Sequence, residues 1–170
     1  MPETSPLIVT LLLDKKSFNF FNELRRKYFP RAQNFLLAHL TLFHHLPADQ
    51  LPIKNDLSKW SEVKEPFPLR ITELKMIGKG VAFKVESDAL LTLHAAMQRQ
   101  WQPWLTLQDK QKIWPHITIQ NKVTPAIAKQ TLAVLQRTFE PFVEGLPLWS
   151  YENGPWKFIQ EFRFSGSGMH

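Results

Sequence analysis

Cysteine is absent from the chain, which excludes disulfides, thiolate metal sites and a cysteine nucleophile; a reducing cytoplasm is the expected compartment. Long apolar runs are missing too. Pro6 to Leu13 is too short to span a membrane, and no basic segment of the signal-peptide kind precedes it, so a soluble protein is expected. No phosphate-cradling GxxxxGK[ST] loop occurs, leaving ATP-driven chemistry without its signature. Acidic residues are in the minority, 15 against 21 Lys and Arg, a net charge of +6. Such an excess concentrates anions near the surface and points to a phosphate-bearing partner. The cluster Arg25, Arg26, Lys27, Arg31 reads equally well as the solvated end of a helix.

What is present suffices for a core: 170 residues, 44% of them apolar, fit one domain or two small lobes. Leu7 to Leu13 is aliphatic enough for a buried strand. From Asp14 to Phe29 the residues Phe18, Phe21, Leu24 and Tyr28 recur at helical period, and Pro30 stops the helix. Leu36 to Leu46 reads as strand. Ala48 to Glu65 reads as a helical connection with Pro52 breaking its start. Leu69 to Ile77 and Val81 to Val85 flank "GKG" (78 to 80), a hairpin signal. Ser87 or Asp88 caps a helix through Trp101, and a polar loop from Thr106 to Lys112 leads into the strand Ile113 to Gln120. Thr124-Pro125 opens a helix to about Phe139. Strands around Leu146 to Tyr151 and Trp156 to Phe164 flank the turn "ENGP". The tail "SGSGMH", 165 to 170, is expected to be flexible.

The two halves repeat. "HLTL" begins at His39 and "HITI" at His116, 116 − 39 = 77 positions on, each between a helix and the next helix. "EPFPL" at 65 to 69 recurs as "EPFVEGLPL" at 140 to 148. The expected fold is therefore α+β: duplicated β-α-β-α-β units related by a pseudo-two-fold, giving a bilobal molecule with two mainly antiparallel sheets and helices outside. We expect one domain over 1 to 164, with repeats of about 1 to 78 and 79 to 164.

Alternation along a strand puts His39 and Thr41 on one face and Leu40 and Leu42 on the other; His116 and Thr118 separate likewise from Ile117 and Ile119. With the aliphatics against the helices, the two-fold brings both polar pairs into one groove. Extending the alternation adds Phe43, Trp114 and Gln120 to that face. Two imidazoles suit general base and general acid in attack on a phosphodiester, and two threonine hydroxyls suit its non-bridging oxygens. One His-x-Thr arises by chance in about one such chain in three, so the weight lies in the repetition. His44 and His45 read as loop residues, and His94 as a surface or packing residue of a helix.

The paired tetrapeptides, in "HLTLFHHLP" and "WPHITIQNKV", resemble the two-histidine (2H) phosphoesterase superfamily and most of all its 2'-5' RNA ligase-like branch. The resemblance implies a bilobal fold around a water-filled central cleft, no metal or other cofactor, and action on 2',3'-cyclic phosphate ends of RNA or on small cyclic or 2'-5' linked nucleotides. Ligation would be the reverse reaction, without ATP. It implies His39, Thr41, His116 and Thr118 as the catalytic set, with His116 the base toward water and His39 the acid toward the departing ribose oxygen. Phe43, Trp114, Gln120 and Arg31 are candidate substrate contacts, with Trp156 and Lys157 behind them. A monomer acting on RNA ends or nucleotide phosphodiesters, away from membranes, is expected. The alternatives are a nucleotide- or RNA-binding regulatory module with little turnover, and a metal site built on His39, His44 and His45.

Overall fold

Side chains at the helix starts dictate much of the local structure. In the computed structural model, which describes residues 5–136 and 139–166, Asp14 Oδ2 accepts from Ser17 N (3.1 Å) and opens α1 (Lys15–Tyr28). Arg25, Arg26 and Lys27 occupy its last turn, where cations complement the dipole. Helix α2 (Leu51–Val63) has no side-chain cap, and Pro52 sits within its first turn, where a missing N–H costs nothing; it does not break the start. Ser87 caps α3 (Asp88–Trp101), Thr106 caps the single turn α4 (Leu107–Lys110), and Thr124 caps α5 (Pro125–Val134). The expected loop from Thr106 thus contains a helical turn. Residues 137 and 138, in the expected end of the last helix, lie outside the described residues.

The strands are β1 (Leu7–Thr10), β2 (Leu12–Leu13), β3 (Thr41–Leu46), β4 (Phe67–Pro68), β5 (Arg70–Ile77), β6 (Gly80–Glu86), β7 (His116–Gln120), β8 (Phe142–Ser150) and β9 (Lys157–Arg163). They form a six-stranded and a three-stranded sheet. In the larger, β3 pairs β1, β1 and β2 pair β8, and β4 and β9 also pair β8. The smaller runs β5-β6-β7. All pairings are antiparallel. β3, which carries Thr41 of the first motif, and β7, which carries His116 and Thr118 of the second, each end the strand order of their sheet. Gly78 takes the positive φ (53°) that the first position of a tight hairpin turn between β5 and β6 requires.

The sheets do not follow the sequence repeats. β8 and β9, from the second half, complete the sheet that begins with β1, while β5, from the first half, pairs β6. The helices cross over as well. α1 packs on β7 and α5 on β5 and β6, whereas α2 meets β8 and β9. From α3, Trp101 packs edge-on against Phe43 of β3 and Trp60 of α2. A boundary near residue 78 therefore falls inside a hairpin of one sheet, not between lobes.

Both motif strands carry a β-bulge at the same place. Thr41 lies opposite Thr10 while Phe43 lies opposite the adjacent Val9; Thr118 lies opposite Ala82 while Gln120 lies opposite the adjacent Val81. One extra residue after each threonine shifts the alternation by one. Phe43 and Gln120, expected on the cleft face, accordingly turn into the interior, at 0% and 1% exposure. Phe43 stacks on His94, and Gln120 Nε2 donates to Thr131 Oγ1 of α5.

The regular part of β3 begins only at Thr41: Arg31–Gln33 form a 3-10 turn, and the stretch to Leu40 bends at Leu36 and Ala38 and is not paired strand, apart from Leu11 N donating to Leu40 O. The motif strand of the second half likewise starts at His116 rather than Ile113. The first two tail residues are tied down, Ser165 N donating to Ser61 O and Gly166 N to Lys64 O, both 2.8 Å. A Cβ on Gly166 would lie 2.3 Å from Val63 O, so only glycine fits. Residues 167–170 lie outside the described residues.

Candidate active site

Each motif histidine is held by the same local bond. Nδ1–H of His39 donates to Leu37 O (2.8 Å), and Nδ1–H of His116 donates to Trp114 O (2.7 Å). A carbonyl only accepts, so both neutral rings carry their lone pair on Nε2, the nitrogen turned away from the backbone. Both rings and both threonines line one cavity of about 350 Å³. The 77-residue repeat thus places two identically anchored imidazoles and two hydroxyls around one opening. Each ring also meets a tryptophan: His39 with Trp156 at 4.6 Å, His116 with Trp114 at 4.5 Å between centroids.

Helix α1 ties the two motifs together. Asn22 Oδ1 accepts from Ala38 N (2.6 Å), beside His39, and Arg25 Nη1 donates to Thr118 O (2.9 Å). Arg25 is 4% exposed, also donates to Asn34 Oδ1, and lies 4.3 Å over the Phe29 ring. Among the described residues no carboxylate lies within 4 Å of it. Burial lowers its pKa to about 10, which leaves it charged at neutrality. Sequence reasoning left the cluster holding Arg25 open between a solvated helix end and an anion-facing patch; its position on the buried stripe, four residues after Phe21, was the available signal.

Burial, together with the charge of Arg25 and the facing His116 and His44, pushes His39 down to about 4 against the raising effect of its bond to Leu37.

The shifted alternation on β3 turns His44, not Phe43, into the cavity. His44 and His45 are therefore strand residues rather than loop residues. Asp109 of α4, 3% exposed, accepts from the backbone N of His44 (2.9 and 3.1 Å) and of His45 (2.9 Å), and its Oδ1 faces His44 Nδ1 at 3.3 Å. Burial raises the Asp109 pKa, but the bonds from His44 and His45 outweigh this and hold it below the usual carboxylate range. His94 is buried behind, its Nε2–H donating to Leu42 O (3.1 Å), and burial lowers its pKa. Neither Asp109 nor this His94 bond was foreseen; a partner 65 residues away leaves no local trace. Among the described residues, no three His, Asp or Glu side chains are placed to hold a metal ion.

Residues 13–155 match the sequence profile of the 2'-5' RNA ligase superfamily. The chain belongs to this family of two-histidine phosphoesterases. Among curated proteins no sequence matches. Among solved structures, TT0787 of Thermus thermophilus is 18% identical, with 95% of this chain and 99% of that one covered and a TM-score of 0.64. E. coli LigT complexed with 3'-AMP is 17% identical, covering 96% and 99%, with a TM-score of 0.63. LigT complexed with NADP+ is 17% identical, covering 95% and 99%, at 0.62. At these identities the likeness concerns the fold.

Of the candidate substrate contacts in this superfamily member, Trp114 and Trp156 line the cavity. Phe43 and Gln120 face the core, for the reason given by the bulges. Arg31 and Lys157 are exposed and outside the cavity lining. Beside His39 and Trp156 a second, mostly apolar hollow of about 480 Å³ opens along β8 and β9, its walls including Trp149, Phe158, Phe35 and Leu37. No helix of the described residues is long and apolar enough to cross a membrane.

Proposed function

We propose that this cleft hydrolyses 2',3'-cyclic phosphate ends of RNA or small cyclic or 2'-5' linked nucleotides by metal-independent paired-histidine catalysis. The reverse reaction would form a 2'-5' linkage. The supporting observation is the matched anchoring of two imidazoles and two hydroxyls around one cavity. A base must be unprotonated at neutrality, and His39, held near 4, meets that requirement. The roles therefore run opposite to those implied by resemblance alone. His39 Nε2 takes a proton from water, the water oxygen bonds to phosphorus, the bond from phosphorus to the ribose oxygen breaks, and His116, in the role of general acid, gives that oxygen a proton. Thr41 and Thr118 hydroxyls donate to the non-bridging oxygens as charge builds there. Buried Arg25 adds positive potential from behind.

The cavity also suits a nucleotide. The tryptophans against both histidines and the apolar hollow next to His39 offer stacking surfaces for a base, each stack contributing about 1–3 kcal/mol. That LigT has been crystallised with 3'-AMP supports a ribose phosphate in this cleft.

The test is turnover of a 2',3'-cyclic mononucleotide by protein treated with chelator. Full activity is expected, and His39→Ala or His116→Ala should each lower kcat by about 10²- to 10⁴-fold. Chelator-sensitive turnover would point to a metal, and tight nucleotide binding without product to a regulatory module.

A further inference from the structure

Two-fold pairing of identical motifs does not by itself tell a substrate which way round to lie. The cavity is nonetheless asymmetric. It shares His39 and Trp156 with the apolar hollow, and its lining also includes the polar side chains His44, Gln108, Gln111 and Lys112. The repeat position of His44, 44 + 77 = 121, is Asn121, which does not line the cavity, so the polar wall has no counterpart in the other motif. His44 is 48% exposed at its side chain and is backed by the buried Asp109 carboxylate at Nδ1, which directs Nε2 outward. Asp109 accepts from both backbone N–H groups and faces the ring at Nδ1, so what it contributes at the surface is a buried countercharge behind an imidazole whose Nε2 donates to an anion once the ring takes up its second proton. The loop is pinned: Gln98 Nε2 donates to Asp109 O (3.0 Å) and Gln111 O (2.9 Å). Among the described residues Lys112 has no carboxylate within 4 Å, leaving its charge for a ligand.

We infer that His44 and Lys112 form a second phosphate subsite, so that the preferred ligand is a nucleotide carrying another phosphate besides the one between His39 and His116. The inference rests on the proposed function for the identity of the first phosphate. An aromatic group toward Trp156 and an anion toward Lys112 then orient the substrate in an otherwise two-fold site. The chemistry selected is that of an oligonucleotide end or a nucleoside bisphosphate over a nucleoside monophosphate.

Calorimetric titration of the full chain with adenosine 3',5'-bisphosphate and with adenosine 3'-monophosphate tests this without requiring turnover. The bisphosphate should bind about tenfold or more tightly, the scale of one charge-assisted contact. Lys112→Ala, on the surface, and His44→Asn should each shrink that ratio toward one. Equal affinities in the unsubstituted protein, or variants that weaken both ligands equally, would overturn the subsite while leaving the phosphodiesterase reading intact. Failure of both nucleotides to bind would overturn the two together. A matching kinetic ratio, kcat/KM for a 5'-phosphorylated against an unphosphorylated 2',3'-cyclic nucleotide, should fall in parallel in the variants.

Discussion

His39 carries the sharpest residue-scale expectation. Its folded pKa near 4 lies below the ordinary 6.5. As the base it must be unprotonated, so kcat/KM should hold as pH falls through 6.5 and decline only toward 4; a limb at 6.5 would reject the assignment. The same shift acts on stability. Between pH 4 and 6.5 the unfolded chain holds a proton that the folded chain lacks, so stability rises with pH across that window and is lost on acidification. Thermal melts of the wild type and His39→Gln should diverge over that range. Arg25→Gln removes a cation that opposes protonation of His39, so the acid limb should move upward while burial keeps it below 6.5. Loss of the bond to the Thr118 carbonyl should also cost about 1–3 kcal/mol in denaturant titration.

At the scale of elements, two helix caps and the hairpin were legible because each depends on residues a few positions apart: Ser87 with Leu90, Thr124 with Ile127. The bulges were not. Strict alternation assigned Phe43 and Gln120 to the cleft, and only pairing with β1 and β6 reveals the extra residue that turns them inward. Asp109 is what satisfies the displaced backbone on β3. Asp109→Ala would leave the N–H groups of His44 and His45 without acceptors, and a loss of about 3 kcal/mol or more is expected by chemical denaturation. On the other sheet, a Cβ at Gly80 would sit 2.0 Å from Gln120 O. Gly80→Ala should therefore loosen the β6 pairing with β7, read as lost protection of Thr118 and Gln120 amides in hydrogen exchange.

For the whole molecule, interlaced sheets mean that the sequence repeats are not independent units. Residues 1–78 lack β8, the strand to which β1 pairs, and residues 79–164 lack β5 and the α1 helix that covers β7. Each half expressed alone should show no cooperative thermal transition by circular dichroism; a cooperative half would contradict the exchange of elements. Mixing the halves should restore a transition, since every pairing is then available.

The sequence by itself determined that two His-x-Thr pairs occur in equivalent settings, that helices and strands alternate in a duplicated order, and that cysteine chemistry is excluded. These follow from spacing and composition, which act over a few residues. Tertiary structure alone decided which sheet each half completes, that Arg25 is buried against Thr118 93 positions away, and that His44 rather than Phe43 reaches the cavity. Burial and register are properties of the partner strand, and the chain names no partner until distant segments pack.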